Sequence, residues 1–175
     1  MEERKNISHF LRAVALLIAA GLLLAVDIVA KRCVLRYLKP MKPISLIDGL
    51  LELSYVENTG AAFGLFKNMM WLVILITVIA VAVILVLLFR YQKHTFFSYA
   101  SCALLIAGGI GNLLDRILYG FVVDYIHVLF FDYIFNFADC CVTVGAVLFV
   151  IHVLLISLRE KKMQEEAKVS SEHAE

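Results

Sequence analysis

The chain has 175 residues, 62% of them hydrophobic and 18% charged, with a mean hydropathy of +0.89 and a formal net charge of +1. A soluble domain is roughly 45–50% apolar, so this composition describes an integral membrane protein. Its sixteen Lys and Arg residues form no basic block or aromatic-interleaved patch, which argues against a nucleic-acid partner.

Residues 1–10 read as a short polar lead-in. From Arg12 to Lys31 the sequence is apolar except for Asp27. As a helix it would cover roughly 28 Å, close to one hydrocarbon thickness, which makes it the first span. It contains Asp27 and lacks a small-x-small cleavage site followed by polar mature sequence, so a removable signal peptide is not expected. Asp27 and Lys31 stand four apart on one helix face and can pair, either as an interfacial anchor or as a brace for a site.

Residues 32–69 form the longest connection, where Pro40 and Pro43 forbid a continuous helix. Alternation around Leu51–Tyr55 suits a half-exposed strand, and a small sheet at the interface is expected. The octet E-N-T-G-A-A-F-G (57–64) follows, with Asn58, Gly60 and Gly64 allowing tight turning. Trp71–Phe89 is uncharged and forms the second span, with Trp71 as an interfacial aromatic. Arg90–His94 make a minimal turn before the third span, Thr95–Leu114. Within it Ala103, Ala107 and Gly111 give the small-x-x-x-small spacing that lets helices pack closely. Gly108, Asn112 and Asp115 or Arg116 share a neighbouring face.

Residues 117–138 leave the membrane and Cys140–Leu158 return as the fourth span, uncharged apart from His152. The mixed-charge tail 159–175 reads as a helix end or a disordered segment. The expected fold is an all-α membrane protein, one domain over 1–175. It has four transmembrane helices (about 12–31, 71–89, 95–114 and 140–158) and a small β-sheet or loop element at one membrane interface. Cys33, Cys102, Cys140 and Cys141 lack the spacing of a zinc or iron–sulfur site, and the last three read as small apolar fillers of the spans.

Four spans put both termini on one side and the connections 32–69 and 116–138 on the other. Asp27/Lys31, Asn58, Asn112/Asp115/Arg116, Asp124 and Asn136/Asp139 then converge on one face. Nine of the sixteen positive residues lie on the terminal side, which favours cytoplasmic termini by a thin margin.

A carboxylate at the edge of lipid is costly, so a cluster of them marks a candidate functional site. Asp115, beside Arg116 and on the face of Asn112, reads as a structural carboxylate, ionised and bonded. Asp132 reads as an exposed loop residue. Asp124 and Asp139 are each embedded in apolar sequence. Two close, buried carboxyls tend to share one proton, the working part of an aspartic protease. The alternative for Asp139 is helix capping, at the N-cap of the fourth helix. His127 has no serine or cysteine in a nucleophile motif near it, and too few ligands stand near it for a metal site.

The set D-x-x-x-K (Asp27, Lys31), E-N-T-G-A-A-F-G (57–64), G-G-I-G-N-L-L-D-R (108–116), V-V-D-Y (122–125) and F-N-F-A-D (135–139) resembles the bacterial lipoprotein signal peptidase family, signal peptidase II. The resemblance implies an intramembrane aspartyl endopeptidase that cleaves prolipoproteins just before the diacylglyceryl-modified cysteine, with no metal or cofactor. It implies Asp124 and Asp139 as the catalytic dyad. Asn58, Asn112, Arg116 and Asn136 would contact substrate or hold the dyad, with Asp27, Lys31, Gly108 and Asp115 in support. It also implies a monomer in the bacterial inner membrane, among membrane lipid, with its site near the outer face. The connection 32–69 and the segment around Tyr125–Tyr133 are then expected to close over the peptide. A small proton-coupled transporter and a non-catalytic membrane adaptor are the rival readings.

Overall fold

The computed structural model of the chain describes residues 2–60, 69–91, 93–131 and 133–172, so the expectations for Gly64 and Asp132 lie outside the described residues. Four helices, α1 (Glu2–Cys33), α2 (Met70–Arg90), α3 (Phe96–Tyr119) and α4 (Phe137–Glu172), are joined by four strands. These are β1 (Ile44–Ile47), β2 (Leu51–Asn58), β3 (Val122–Val128) and β4 (Ile134–Phe135). Each helix contains a run long and apolar enough to cross a membrane. Leu22, Leu118, Val150 and Leu154 project outward from the bundle, as lipid-facing side chains do.

The helices run past the apolar windows that announce them. α1 begins inside the polar lead-in and continues as a π-helical turn, Val34–Leu38, ending one residue before Pro40. Lys39 is still helical, its N–H bonded to Val34 O, and Pro40, which has no N–H to continue the ladder, ends it. α3 starts from a reciprocal cap between Thr95 and Ser98, and stops at Gly120, whose φ of +79° is left-handed. It therefore carries Asp115 and Arg116 as helical residues. α4 opens at Phe137 and continues to Glu172, which makes most of the tail a helix end.

The sheet has the order β1-β2-β3-β4, with every pair antiparallel. β2 stands where alternation placed a strand. β3 was read only as part of a connection, and it is the strand that carries Asp124. Val123 and Tyr125 of β3 pack on Val34 and Leu38 of the π-helical turn, which braces the sheet against the end of α1. Tyr125 is thus a core residue, and any lid drawn from that segment is confined to the turn beyond β3.

α3 lies at the centre and packs on the other three helices. Ala103 and Ala107 meet Ala20 of α1, and a Cβ at Gly111 would stand 2.5 Å from Asp27 Oδ2. Gly108 faces α4, where a Cβ would collide with Ala138 O and lie 2.8 Å from Val142 Cγ2. Two small-residue stripes on one helix thus seat two neighbours, as close packing in lipid requires.

Gly108→Ala is expected to push α4 off α3 against backbone, costing about 1–3 kcal/mol. Gly21→Ala, with nothing within 4 Å of the new methyl, leaves thermal unfolding in detergent unchanged or slightly raised. Equal melting of the two variants would contradict this packing.

Candidate active site

One buried cation organises the polar end of the bundle. Lys31 Nζ lies 2.8 Å from Asp27 Oδ2, 3.0 Å from Asp115 Oδ2 and 2.9 Å from Asn112 Oδ1. The Asp27 contact is an ion pair off hydrogen-bond alignment. Lys31 and Asp27 are only 2% and 1% exposed, which rules out a snorkelling surface anchor.

Each partner of Lys31 reaches an element that carries a further acid. Asp27 Oδ1 accepts from the Ala138 N–H at 3.0 Å, tying α1 to the first turn of α4. Asp115 Oδ2 accepts from the Val123 N–H at 3.0 Å, fixing β3 next to Asp124. Asp115 is therefore bonded to Lys31 and the strand, with no ion pair to its sequence neighbour Arg116 among the described residues. Asn112 Nδ2 donates to Asp139 Oδ1 at 2.7 Å.

Asp124 and Asp139 are joined by side-chain amides. Asn136 Nδ2 donates to Asp124 Oδ1 at 2.6 Å and to Asn112 Oδ1 at 3.1 Å. Asn58 Nδ2 donates to Asp124 Oδ2 at 2.8 Å, while Asn58 Oδ1 accepts from the Gly60 N–H at 3.0 Å. Burial pushes Asp124 up to about 6, with the Asn58 donor opposing the rise and the Asp139 charge adding to it.

The capping expectation for Asp139 needs correction. Asn136 is the residue before α4, and its Oδ1 accepts from the Asp139 N–H at 3.0 Å; Asp139 Oδ2 accepts in return from the Asn136 N–H at 3.1 Å. Asp139 is the third helical residue of a capping box rather than the N-cap, and its other oxygen remains for Asn112. Arg116 donates to Asn112 O at 3.2 Å and to Gly60 O at 3.3 Å, linking α3 to the turn after β2.

The family model for signal peptidase (SPase) II matches residues 19–155. The chain belongs to the signal peptidase II family. It is 38% identical over 141 residues to the lipoprotein signal peptidase of Clostridioides difficile (strain 630), covering 80% of this chain and 95% of that one. It is 35% identical over 153 residues to that of Geobacillus thermodenitrificans (strain NG80-2), covering 86% and 96%. A solved structure described as a bacterial membrane enzyme superposes with a TM-score of 0.74 at 30% identity, covering 82% of this chain and 89% of that one.

In this signal peptidase II family member, a cavity of about 580 Å³ opens beside Asp139, lined also by Tyr133, Phe135, Cys140 and Thr143. Burial raises the Tyr133 phenol, and the nearby Asp139 and Asp124 charges raise it further. Tyr133, expected from sequence only as the end of a segment closing over the peptide, stands in this wall beside Asp139. His127 is engaged elsewhere, its Nδ1 lying 2.8 Å from Glu52 Oε1 across the β2–β3 pair. Among the described residues, no three His, Cys, Asp or Glu side chains are grouped to hold a metal ion.

Lys31→Met would leave Asp27 and Asp115 buried without their cation, at a cost of about 3–5 kcal/mol. Truncation of Lys39, paired to Glu57 with both side chains close to half exposed, should leave the melting temperature nearly unchanged. Thermal unfolding of the two variants in one detergent checks the contrast.

Proposed function

We propose that the chain, as one membrane domain, removes the signal peptide from diacylglyceryl-modified prolipoproteins, with Asp124 and Asp139 as its catalytic dyad. The observation that carries this reading is the frame of amides around a buried carboxyl, Asp124, and a half-buried one, Asp139. Asn58 and Asn136 hold Asp124, Asn112 holds Asp139, and the Asn136–Asn112 bond joins the two halves. An amide supplies donors without adding charge, so the carboxyls remain the only titrating members of the frame.

The dyad holds one proton. A water between the carboxyls gives a proton to the ionised member, and the resulting hydroxide-like oxygen attacks the scissile carbonyl. The protonated member donates to the developing oxyanion, and a proton then passes to the leaving amine as the C–N bond breaks. The products are the signal peptide with a free carboxylate and the lipoprotein with an amino-terminal, lipidated cysteine. Arg116 has N–H donors beyond its two carbonyl contacts, and these face the substrate backbone. The diacylglyceryl chains stay in the bilayer beside the helices. The termini are cytoplasmic, the dyad lies near the outer face of the bacterial inner membrane, and the chain acts as a monomer.

A proton-coupled transporter calls for acids at mid-bilayer depth across a path. Here Asp124 stands on a strand outside the spans, Asp139 in the first turn of α4 and Asp115 in the last turns of α3. That crowding at one end favours hydrolysis.

Asp124→Asn and Asp139→Asn should each lower cleavage of a purified diacylglyceryl-prolipoprotein roughly 10²–10⁴-fold or more, with helical circular dichroism retained. Full activity in either would overturn the dyad assignment, and no cleavage by the wild type would leave the adaptor reading standing. The pH profile of kcat/KM should also lose rate as pH rises through about 6, where Asp124 gives up the shared proton. A profile flat from pH 5 to 8 would contradict a titrating dyad.

A further inference from the structure

A second cavity, of about 390 Å³, lies between α2, α3 and α4 toward the end of the bundle away from the dyad. Leu87, Cys102, Leu105, Phe149, His152 and Val153 line it. The serines and histidines around it are already engaged within the protein, and the Tyr91 ring meets His94 and His152 edge-on. Ser101 Oγ donates to Gly145 O at 2.8 Å, His152 Nδ1 shares a 3.0 Å hydrogen bond with Thr95 Oγ1, and His94 bonds Ser98 Oγ and Leu88 O. The space therefore suits an apolar occupant. α2 leans on α3 and leaves α4 apart, so the cavity lies in a cleft floored by α3.

The cleft is aligned with the dyad. Asp139, Val142, Ala146, Phe149 and Val153 recur at spacings of three and four, which puts them on one face of α4. Val142, Phe149 and Val153 on that face are 37%, 49% and 48% exposed, although α4 packs tightly on α3 through Gly145. Phe149 and Val153 lie ten and fourteen residues beyond Asp139, about 15–21 Å along the helix axis at ~1.5 Å per residue.

We propose that this cavity grips the apolar core of the substrate's signal peptide, an inference that rests on the peptidase reading above. A helical signal peptide with its scissile bond at the dyad runs antiparallel to α4. If the helix continued to the bond, the residues in the cavity would stand about 10–14 positions before it. If three residues at the dyad are extended, the window moves to about 6–10 positions. The cavity then selects side-chain bulk far from the bond that is cut, and supplies binding energy without touching the reacting atoms.

Cys102 gives a native handle for the test. The full-length protein in phospholipid vesicles is mixed with a diacylglyceryl-prolipoprotein carrying one added cysteine, scanned from 3 to 20 positions before the bond, and oxidised with copper phenanthroline. The lipidated cysteine is a thioether and cannot join. Disulfide adducts are expected to peak at about positions 6–14 and to vanish in Cys102→Ala. Val153→Trp, at a half-exposed site, should raise KM roughly fivefold with kcat unchanged, and alanines in that window of the substrate should reverse the effect. Cleavage with no adduct, with adducts spread evenly, or with no KM change in Val153→Trp overturns the proposal and leaves the cavity to a bilayer lipid chain. Absence of cleavage by the wild type overturns the peptidase reading, and the docking proposal falls with it.

Discussion

The structure depends on a lysine that cannot reach water. Lys31 is held in apolar surroundings by two aspartates and an asparagine, an arrangement that is stable only while all partners remain. Each partner also performs a mechanical task. Asp27 caps the start of α4 and Asp115 anchors the start of β3, so the two elements bearing Asp139 and Asp124 are fixed to one ammonium group. Buried ion clusters are often replaced by apolar side chains without loss of stability, but here the exchange would release a strand and a helix together. The small residues of α3 serve the same end. Gly111 admits Asp27 to the interior and Gly108 admits the backbone of α4, so the ionic centre forms only because two helices approach α3 without side chains between.

Much of this was legible in the chain because lipid makes polar residues rare. Asp27 and Lys31 stood out as an i, i+4 pair in an apolar run, and topology alone brought the polar motifs to one face. The strand β3 was not legible. V-V-D-Y-I-H-V is covered on both faces over its first four residues, so it lacks the period-two alternation that announced β2. The third apolar window closes at Leu114, yet Asp115 or Arg116 shares a helix face with Asn112, and α3 runs on to Tyr119. Both are helical, Asp115 is buried, and the stop signal was Gly120.

The start of α4 shows how a local signal can be read one step off. F-N-F-A-D contains the Asn-x-x-acid spacing of a capping box, which assigns Asn136 as the cap and Asp139 as its reciprocal partner. Treating Asp139 as the cap set its capping against a catalytic role. The two do not compete. One oxygen of Asp139 bonds the Asn136 N–H while the other accepts from Asn112, so the cap fixes the carboxyl that the proposed chemistry uses.

Charge balance at this end of the bundle explains why a proton belongs there. Among the described residues, four aspartates, Asp27, Asp115, Asp124 and Asp139, share two side-chain cations, Lys31 and Arg116, and Lys31 is committed to the first two. The partial positive charge at the N-terminus of α4 eases the load on Asp27 and Asp139, which both bond its first turn, but it falls short of a full charge. With both dyad carboxyls ionised, a net negative charge would remain in a setting that solvates it poorly. Holding one proton between Asp124 and Asp139 removes most of that excess. The neutral amides of Asn58, Asn112 and Asn136 fix the carboxyls without altering the balance. A lysine in place of any of them would neutralise the pair and remove the reason for the proton to stay, so the amide frame is as much a charge constraint as a positioning device.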